Sequence, residues 1–423
     1  MAVEAKVLDQ LDGRLAAAPK GGFSASARAE ARARLVAMSL PGRRDEYWRY
    51  TDPSDLNAPA AVPAKVGTPE APLEAPGALH LRFDGGVAGA MPTAPAGLDL
   101  ALLGEADAND IHWAGSLYGA LEADGQIPVK RPFAALNTVM ATEGLLLRAT
   151  SGAPVVQVEY GVGSEASDVY LHHCIRISEG AELTLIESGR AGARSNIVIE
   201  VDLAPGARFH HVRAQGRDAD RRTITHIFAR IGAGASFKSF TYGENGRLTR
   251  NEAILDIRGD GAVAHVAGVA LGNGADQPVL HDDTVFITHA AVGCESRQVY
   301  KKVLRNGATG VFQGKILVKP GAQKTDGYQI SQSLLLDEDS QFLAKPELEI
   351  YADDVKCSHG STTGAIDDTA LFYLRSRGVE KDRATALLVL SFLADAIAEI
   401  EDPALADQIV ARLEGWLGLG DAG

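Results

Sequence analysis

The chain has 423 residues, enough for a large core and two or three domains, and a formal net charge of −14. That acidic balance argues against a nucleic-acid partner. No run approaches the roughly 20 apolar residues needed to cross a bilayer, and the first residues lack the basic start and apolar stretch of a secretory signal. The expectation is a cytoplasmic protein. Cys174, Cys294 and Cys357 are widely scattered, which fits reduced thiols better than a disulfide framework. With 45 glycines and only 6% aromatics, the composition favours a repetitive, closely packed architecture over a core built on large rings.

Apolar positions Val3, Val7, Leu8, Leu11 and Leu15 recur at threes and fours and predict a helix from Ala2 to about Ala18. Ser24 or Ser26 can cap a second helix ending at Met38, before Leu40-Pro41-Gly42. A charged and aromatic knot follows at 43–51. Residues 57–96 are rich in Ala, Pro and Gly and read as irregular linker, with one strand candidate at Leu79-His-Leu-Arg-Phe83. Short helices are expected over 101–148, with a helix edge at Arg131-Pro-Phe-Ala-Ala-Leu-Asn137.

From about Pro154 the pattern alternates in strand fashion, as in Val155–Tyr160, Ile197–Leu203 and Phe237–Tyr242. Gly-Ala pairs punctuate it at 180, 206, 234, 261, 307 and 321, at separations of 26, 28, 27, 46 and 14 residues. A unit of roughly 14 residues per half-turn predicts a solenoid, and a parallel β-helix fits better than a propeller. The alternative is an antiparallel sandwich with glycine turns. After Gly364, Asp367-Asp368 can cap a helix over Thr369–Arg377, with Gly378 at its C′ position. A strongly apolar helix from Glu380 to about Ile400 follows, then Pro403 and a final amphipathic helix, Ala404 to Leu417. The Leu387–Leu393 run is dense enough to be buried on more than one face.

The chemistry-bearing candidates are few. There is no Gly-x-x-x-x-Gly-Lys-Ser/Thr loop, and Gly161-Val-Gly163 and Gly272-Asn-Gly274 read as turns. No Cys-x-x-Cys pair offers a self-contained zinc or iron–sulfur site. His172-His173 and His210-His211 lie in strand-like runs, one of each pair facing in and one out, and read as stacking or surface residues. Cys174 and Cys294 read as small buried hydrophobes. Asp282-Asp283 and Asp353-Asp354 would suit a carbohydrate-cleaving β-helix, but no aromatic-rich cleft accompanies them.

Cys357 and His359 differ. If the strand Glu347–Tyr351 continues through them, they are two residues apart and share a face. Lys356 would lower the thiol pKa, while Asp353 and Asp354 would raise it. Thiolate and imidazole side by side make a metal, cluster or catalytic pair, or a structural Cys beside a corner His. Two ligands do not complete a site.

Phe312-Gln-Gly-Lys-Ile-Leu-Val, Ala322-Gln-Lys-Thr-Asp-Gly-Tyr-Gln-Ile-Ser-Gln-Ser-Leu-Leu-Leu336, Lys345-Pro through Ser358-His-Gly-Ser-Thr, and Leu371-Phe-Tyr-Leu-Arg-Ser-Arg-Gly378 closely resemble the SufB/SufD family of iron–sulfur cluster assembly subunits. Leu40-Pro through Tyr50-Thr resembles its N-terminal motif more weakly. Lys356-Cys-Ser-His-Gly360 is similar to the SufD type. The resemblance implies a right-handed parallel β-helix over 151–364, between an N-terminal helical domain with irregular linker (1–150) and a C-terminal helical domain (365–423). It implies a non-catalytic scaffold, joined by a SufB-like paralogue and a SufC-like ABC-type ATPase, with a homodimer open to the lone chain. The implied site is a transient nascent cluster at the SufB–SufD junction, with His359 as ligand and Cys357 beside it. ATPase docking is implied at Leu371, Phe372, Tyr373, Leu374, Arg375, Arg377 and Gly378. A SufB-like homodimeric scaffold and a carbohydrate-active β-helix are the alternative functions.

Overall fold

Strands of period two, each followed by a residue that can turn left-handed, make a chain that coils. The computed structural model describes residues 14–67 and 70–419; the helix expected from Ala2 falls mostly outside them. The strands in chain order are β1 (Leu79–Asp84), β2 (Val87–Ala88), β3 (Leu98–Leu102), β4 (Leu145–Ala149), β5 (Val155–Gly161) and β6 (Asp168–Ile177). Then come β7 (Glu182–Gly189), β8 (Arg194–Leu203), β9 (Arg208–Ala214), β10 (Arg222–Ile231), β11 (Ser236–Glu244), β12 (Leu248–Ile257) and β13 (Val263–Asn273). The last are β14 (Leu280–His289), β15 (Glu295–Arg305), β16 (Thr309–Val318), β17 (Thr325–Leu335), β18 (Gln341–Ile350) and β19 (Val355–Gly364).

From β4 onward the strands alternate between two sheets, and each pairs in parallel with the strand two places away. This is a parallel β-helix, and the parallel registers exclude the antiparallel sandwich. In the even sheet successive register partners lie 26, 28, 26, 32, 29 and 32 residues apart, so one coil takes 26–32 residues. The strand expected at Leu79–Phe83 within the irregular stretch is β1, and it pairs in parallel with β5, so the odd sheet begins before residue 151.

The corners explain the Gly-Ala punctuation. Gly180, Gly206, Gly234, Gly261 and Gly293 all have φ between 60° and 68°, a region costly for residues with a Cβ. Their amides bond to the next corner, as in Gly206 N–H to Ala233 O (2.8 Å) and Gly293 N–H to Gln323 O (2.8 Å). Ala181, Ala207, Ala235 and Ala262 follow them into the core, and Cys294 takes the same place one coil on. The 46-residue gap therefore contains a Gly293-Cys294 corner. Gly307-Ala308 turns the opposite edge, between β15 and β16.

Inside, Ile177, Leu203, Ile231, Ile257, His289 and Val318 form one column, all buried. Outside, both sheets are covered by helices. On the even sheet lie α1 (Ala25–Met38) and α2 (Pro132–Met140), packing Leu35, Phe133 and Leu136 against Ile224 and Leu248. Ser24 precedes α1 without capping it; its hydroxyl donates to Asp107 instead (2.6 Å). On the odd sheet lie α4 (Lys381–Ile397) and α5 (Pro403–Trp416), preceded by α3 (Asp368–Ser376). Val389, Leu393, Ile409 and Leu413 bury against Phe240, Val269 and Val303, each burial contributing about 1.5–3 kcal/mol. Leu387 stays exposed, so the apolar run of α4 meets the core along one face.

These helices overturn the surface expectation for the histidine pairs. His172 and His210 do point outward, but all four histidines are buried because the outer faces are roofed. Burial holds His173, His226 and His289 down at about 4. Burial alone would raise Glu252, but Arg250, His226 and Arg131 overcome it and hold the carboxyl at about 2. Unfolded histidines titrate near 6.5, so below that pH the unfolded chain takes up protons the folded chain refuses. Stability should therefore fall as pH drops from about 7 to 4, by on the order of 3 kcal/mol for each of these three histidines. Urea midpoints at pH 7, 5.5 and 4.5 check this: they should decline, less steeply in His289→Leu, and a flat profile would contradict it.

Candidate functional site

Among the described residues, β19 pairs with β17 on one side and has nothing on the other, and β18 likewise pairs only with β16. The β-helix therefore ends in two adjacent free edges. β19 sits in register with β17, Gly327 opposite Cys357 and Gln329 opposite His359. Residues 327, 329, 331 and 333 are buried inward, so Cys357, His359, Ser361 and Thr363 face the same interior, now open at its end. Cys357 packs with Ile316, Val318, Ala322 and Ala352. Its sulfur fits because residue 327 is glycine: a Cβ there would lie 3.1 Å from Sγ. His359, one step further along, is exposed.

Electrostatics separate the two. Burial pushes the Cys357 thiol up, with the Gly327 N–H pulling the other way and Asp326 adding to the rise. Lys356 does not lower it as its sequence neighbourhood suggested, because it projects from the other face of the strand. The thiol is therefore held protonated until a metal or a new neighbour displaces the proton. The pair offers one sulfur and one nitrogen donor at a mouth that solvent, or another chain, can reach.

The knot at 43–51, given no role from sequence, is a clasp along the outer even sheet. Thr51 Oγ1 donates to Asp282 (2.5 Å), and Arg250 bonds both Asp282 and the Tyr47 carbonyl. The Arg250 guanidinium lies 4.1 Å from the Trp48 ring, itself 5.3 Å from Phe133. Tyr47 OH donates to Glu347 (2.7 Å) and Lys345 pairs with Glu46, which ties the clasp to edge strand β18. A constellation of charges and a Trp in sequence thus serves four consecutive coils.

His172, Cys174 and Glu200 also meet, wholly buried on the outer face of β6 and β8. Glu200 already accepts the Gly119 and Glu122 amides (2.6 and 2.8 Å) and sits 2.9 Å from His172 Nε2, while Tyr118 stacks on His172. Glu200 anchors the short helix Ala120–Asp124, and the cluster reads as packing.

The residues expected to dock an ATPase lie on or just beyond α3. Asp367 caps the helix through Thr369 and Ala370, and Gly378 ends it at φ 87°. None of its residues is buried: Phe372 is 73% and Tyr373 55% exposed, with the Arg377 guanidinium 3.6 Å from the Tyr373 ring. Leu371 and Leu374 are half-buried, and Arg375, Arg377 and Gly378 are exposed.

Residues 160–392, more than half the chain, match the family model described as SUF system FeS cluster assembly, SufBD core domain. The chain belongs to the SufB/SufD family. Its similarity to the iron–sulfur cluster assembly protein SufD of Escherichia coli is 30% identity over 271 residues, covering 61% of this chain and 62% of that one. To a SufBD family protein of Mycobacterium leprae it is 27% identical over 396 residues, 91% of this chain and 93% of the other. SufD of Bacillus subtilis is 30% identical over 166 residues, 39% of this chain and 37% of that protein. The matched core spans the coils from the end of β5 to the middle of α4, including the free edge and α3. Among the described residues, no helix is long and apolar enough to cross a membrane.

Exposure at the mouth and burial at the clasp make opposite expectations for stability. His359→Ala should change unfolding free energy by less than about 0.5 kcal/mol, whereas Trp48→Ala should cost about 3–5 kcal/mol. Denaturant melts of the two variants decide; equal losses would place His359 in the fold's support.

Proposed function

We propose that this chain is a SufD-type, non-catalytic scaffold of the SUF machinery, paired through its free β18 and β19 edges with a SufB-like paralogue. The observation that carries the reading is the place of the Cys357–His359 pair, inward-facing on the last strand of an open β-helix. A second chain that covered this end would bury exposed strand edges and bring the donors that two residues lack. The cargo is a nascent iron–sulfur cluster, with His359 as the ligand this chain offers and Cys357 beside it. His359 is the stronger candidate because Cys357 is already packed into its own core.

A SufC-like ABC-type ATPase would dock on α3, where Phe372 and Tyr373 stand exposed next to Arg375 and Arg377. Nucleotide-driven movement there would pass through α4, which lies on β13 and β15, to a stiff β-helix that opens or closes the paired end. In the lone chain the same edges are open to a second copy.

Two experiments test the reading. In the reconstituted complex, His359→Ala should lower cluster formation at least tenfold; undiminished assembly would remove its ligand role. Phe372→Glu with Tyr373→Glu should abolish ATPase capture in pull-downs while the SufB-like partner is still retained. Full ATPase retention would refute docking on α3.

A further inference from the structure

The inward column that ends at His359 continues below it as Gln329 and then Gln298, in consecutive parallel registers. Both glutamines are fully buried. Gln329 has no hydrogen-bond partner at Nε2 or at Oε1 among the described residues, and Gln298 has none at Oε1. An unpaired buried amide destabilises a fold, so its place demands a reason. The interior has also been cleared for it. Residue 314 faces it as glycine, and a Cβ there would lie 2.6 Å from Gln329 Cδ and Oε1. Of the other inward polar side chains of β17, the Ser331 hydroxyl bonds Ser361 (2.7 Å), while the Ser333 hydroxyl, four residues further along the strand, is opposite Thr363 and not His359.

The polarity of the column is set from below. Gln298 Nε2 points to the Lys315 carbonyl (3.5 Å), which leaves its Oε1 free to accept. If Gln329 Nε2–H turns to that oxygen, Gln329 Oε1 is presented to the next position, which is His359. Parallel strands stand about 4.8 Å apart, and same-face side chains at that spacing reach one another.

We propose that Gln329 is the positioning residue for His359: its carboxamide oxygen accepts one imidazole N–H, fixing the tautomer and aiming the other, unprotonated ring nitrogen out of the mouth. This rests on the reading of His359 as the ligand offered to the cluster, and it supplies the outer partner that ligating histidines generally have. The carboxamide stays unpaired in the core because its function lies with the ring above it.

Gln329→Leu tests the idea because a structural and a positioning role have opposite signs there. Replacing an unsatisfied amide by an apolar group of similar shape should leave the melting temperature equal or higher. Cluster formation in the reconstituted complex should nonetheless fall about 10- to 100-fold, the usual loss for an outer partner of a metal ligand. Gln329→Glu keeps an acceptor and should recover most of the activity. In ¹⁵N-histidine spectra of the full chain above neutral pH, the His359 signals, identified by their loss in His359→Ala, should show one tautomer in wild type and Gln329→Glu. They should show a mixture in Gln329→Leu. Unchanged cluster formation or an unchanged tautomer in Gln329→Leu would overturn the proposal, and so would a loss of activity that follows a loss of stability. If His359→Ala is itself fully active, the ligand reading fails; if only Gln329→Leu is active, the positioning role alone fails.

Discussion

A parallel ladder holds every strand by its two neighbours, and the last strand by one. All else in this chain follows from that asymmetry. Coils of 26–32 residues stack with their interior columns in register, so each column is a line of contacts running the length of the β-helix. Where the ladder stops, the columns stop too, and whatever side chains occupy their ends face outward along the axis rather than across it. Cys357 and His359 occupy two such ends. The helical roofs on both sheets protect the long faces, so strand edges remain at the two ends of the coil, the short β2 and β3 at one and the ten-residue β18 and β19 at the other, where a strand-edge partner finds the longer ladder.

Polar burial is the second theme. The aliphatic column at the Gly-Ala corner contrasts with the opposite half, where Gln215, Asn251, Asp283 and Lys302 link across the coils; Gln215 Nε2 donates to Asn251 (2.9 Å) and Lys302 Nζ to Asp283 (2.5 Å). Glycines at 243, 268, 310 and 314 face bulky neighbours such as Tyr300, Lys302 and Gln329 and make room for them. Glycine richness therefore reflects interior fit as well as corner geometry.

The coil was legible because its causes are local. Left-handed corners need glycine, inward positions need small or aliphatic residues, and both recur at a readable spacing. The shared face of Cys357 and His359 was legible for the same reason, being two residues apart on a strand. What escaped depends on distant chain. Whether His172 meets water is settled by Tyr118, and His210 by the helices beyond 380, neither visible in the strand itself. The Asp-Glu-Tyr-Trp-Arg-Tyr-Thr segment read only as a charged and aromatic knot, without a role, because its partners, Arg250, Asp282 and Glu347, lie some 200 to 300 residues on. Gln329 is one of several glutamines in its segment, and only the strand register sets it beneath His359.

The central claim is that the free edge at β19 is an interface awaiting a second chain. Hydrogen–deuterium exchange over 355–364, with and without the SufB-like partner, tests it most directly. The account predicts fast exchange of the outward-facing half of these amides in the isolated monomer and strong protection on complex formation, while β5 to β13 stay unchanged. Exchange at β19 that is indifferent to the partner, with protection appearing on the helical roofs instead, would contradict it.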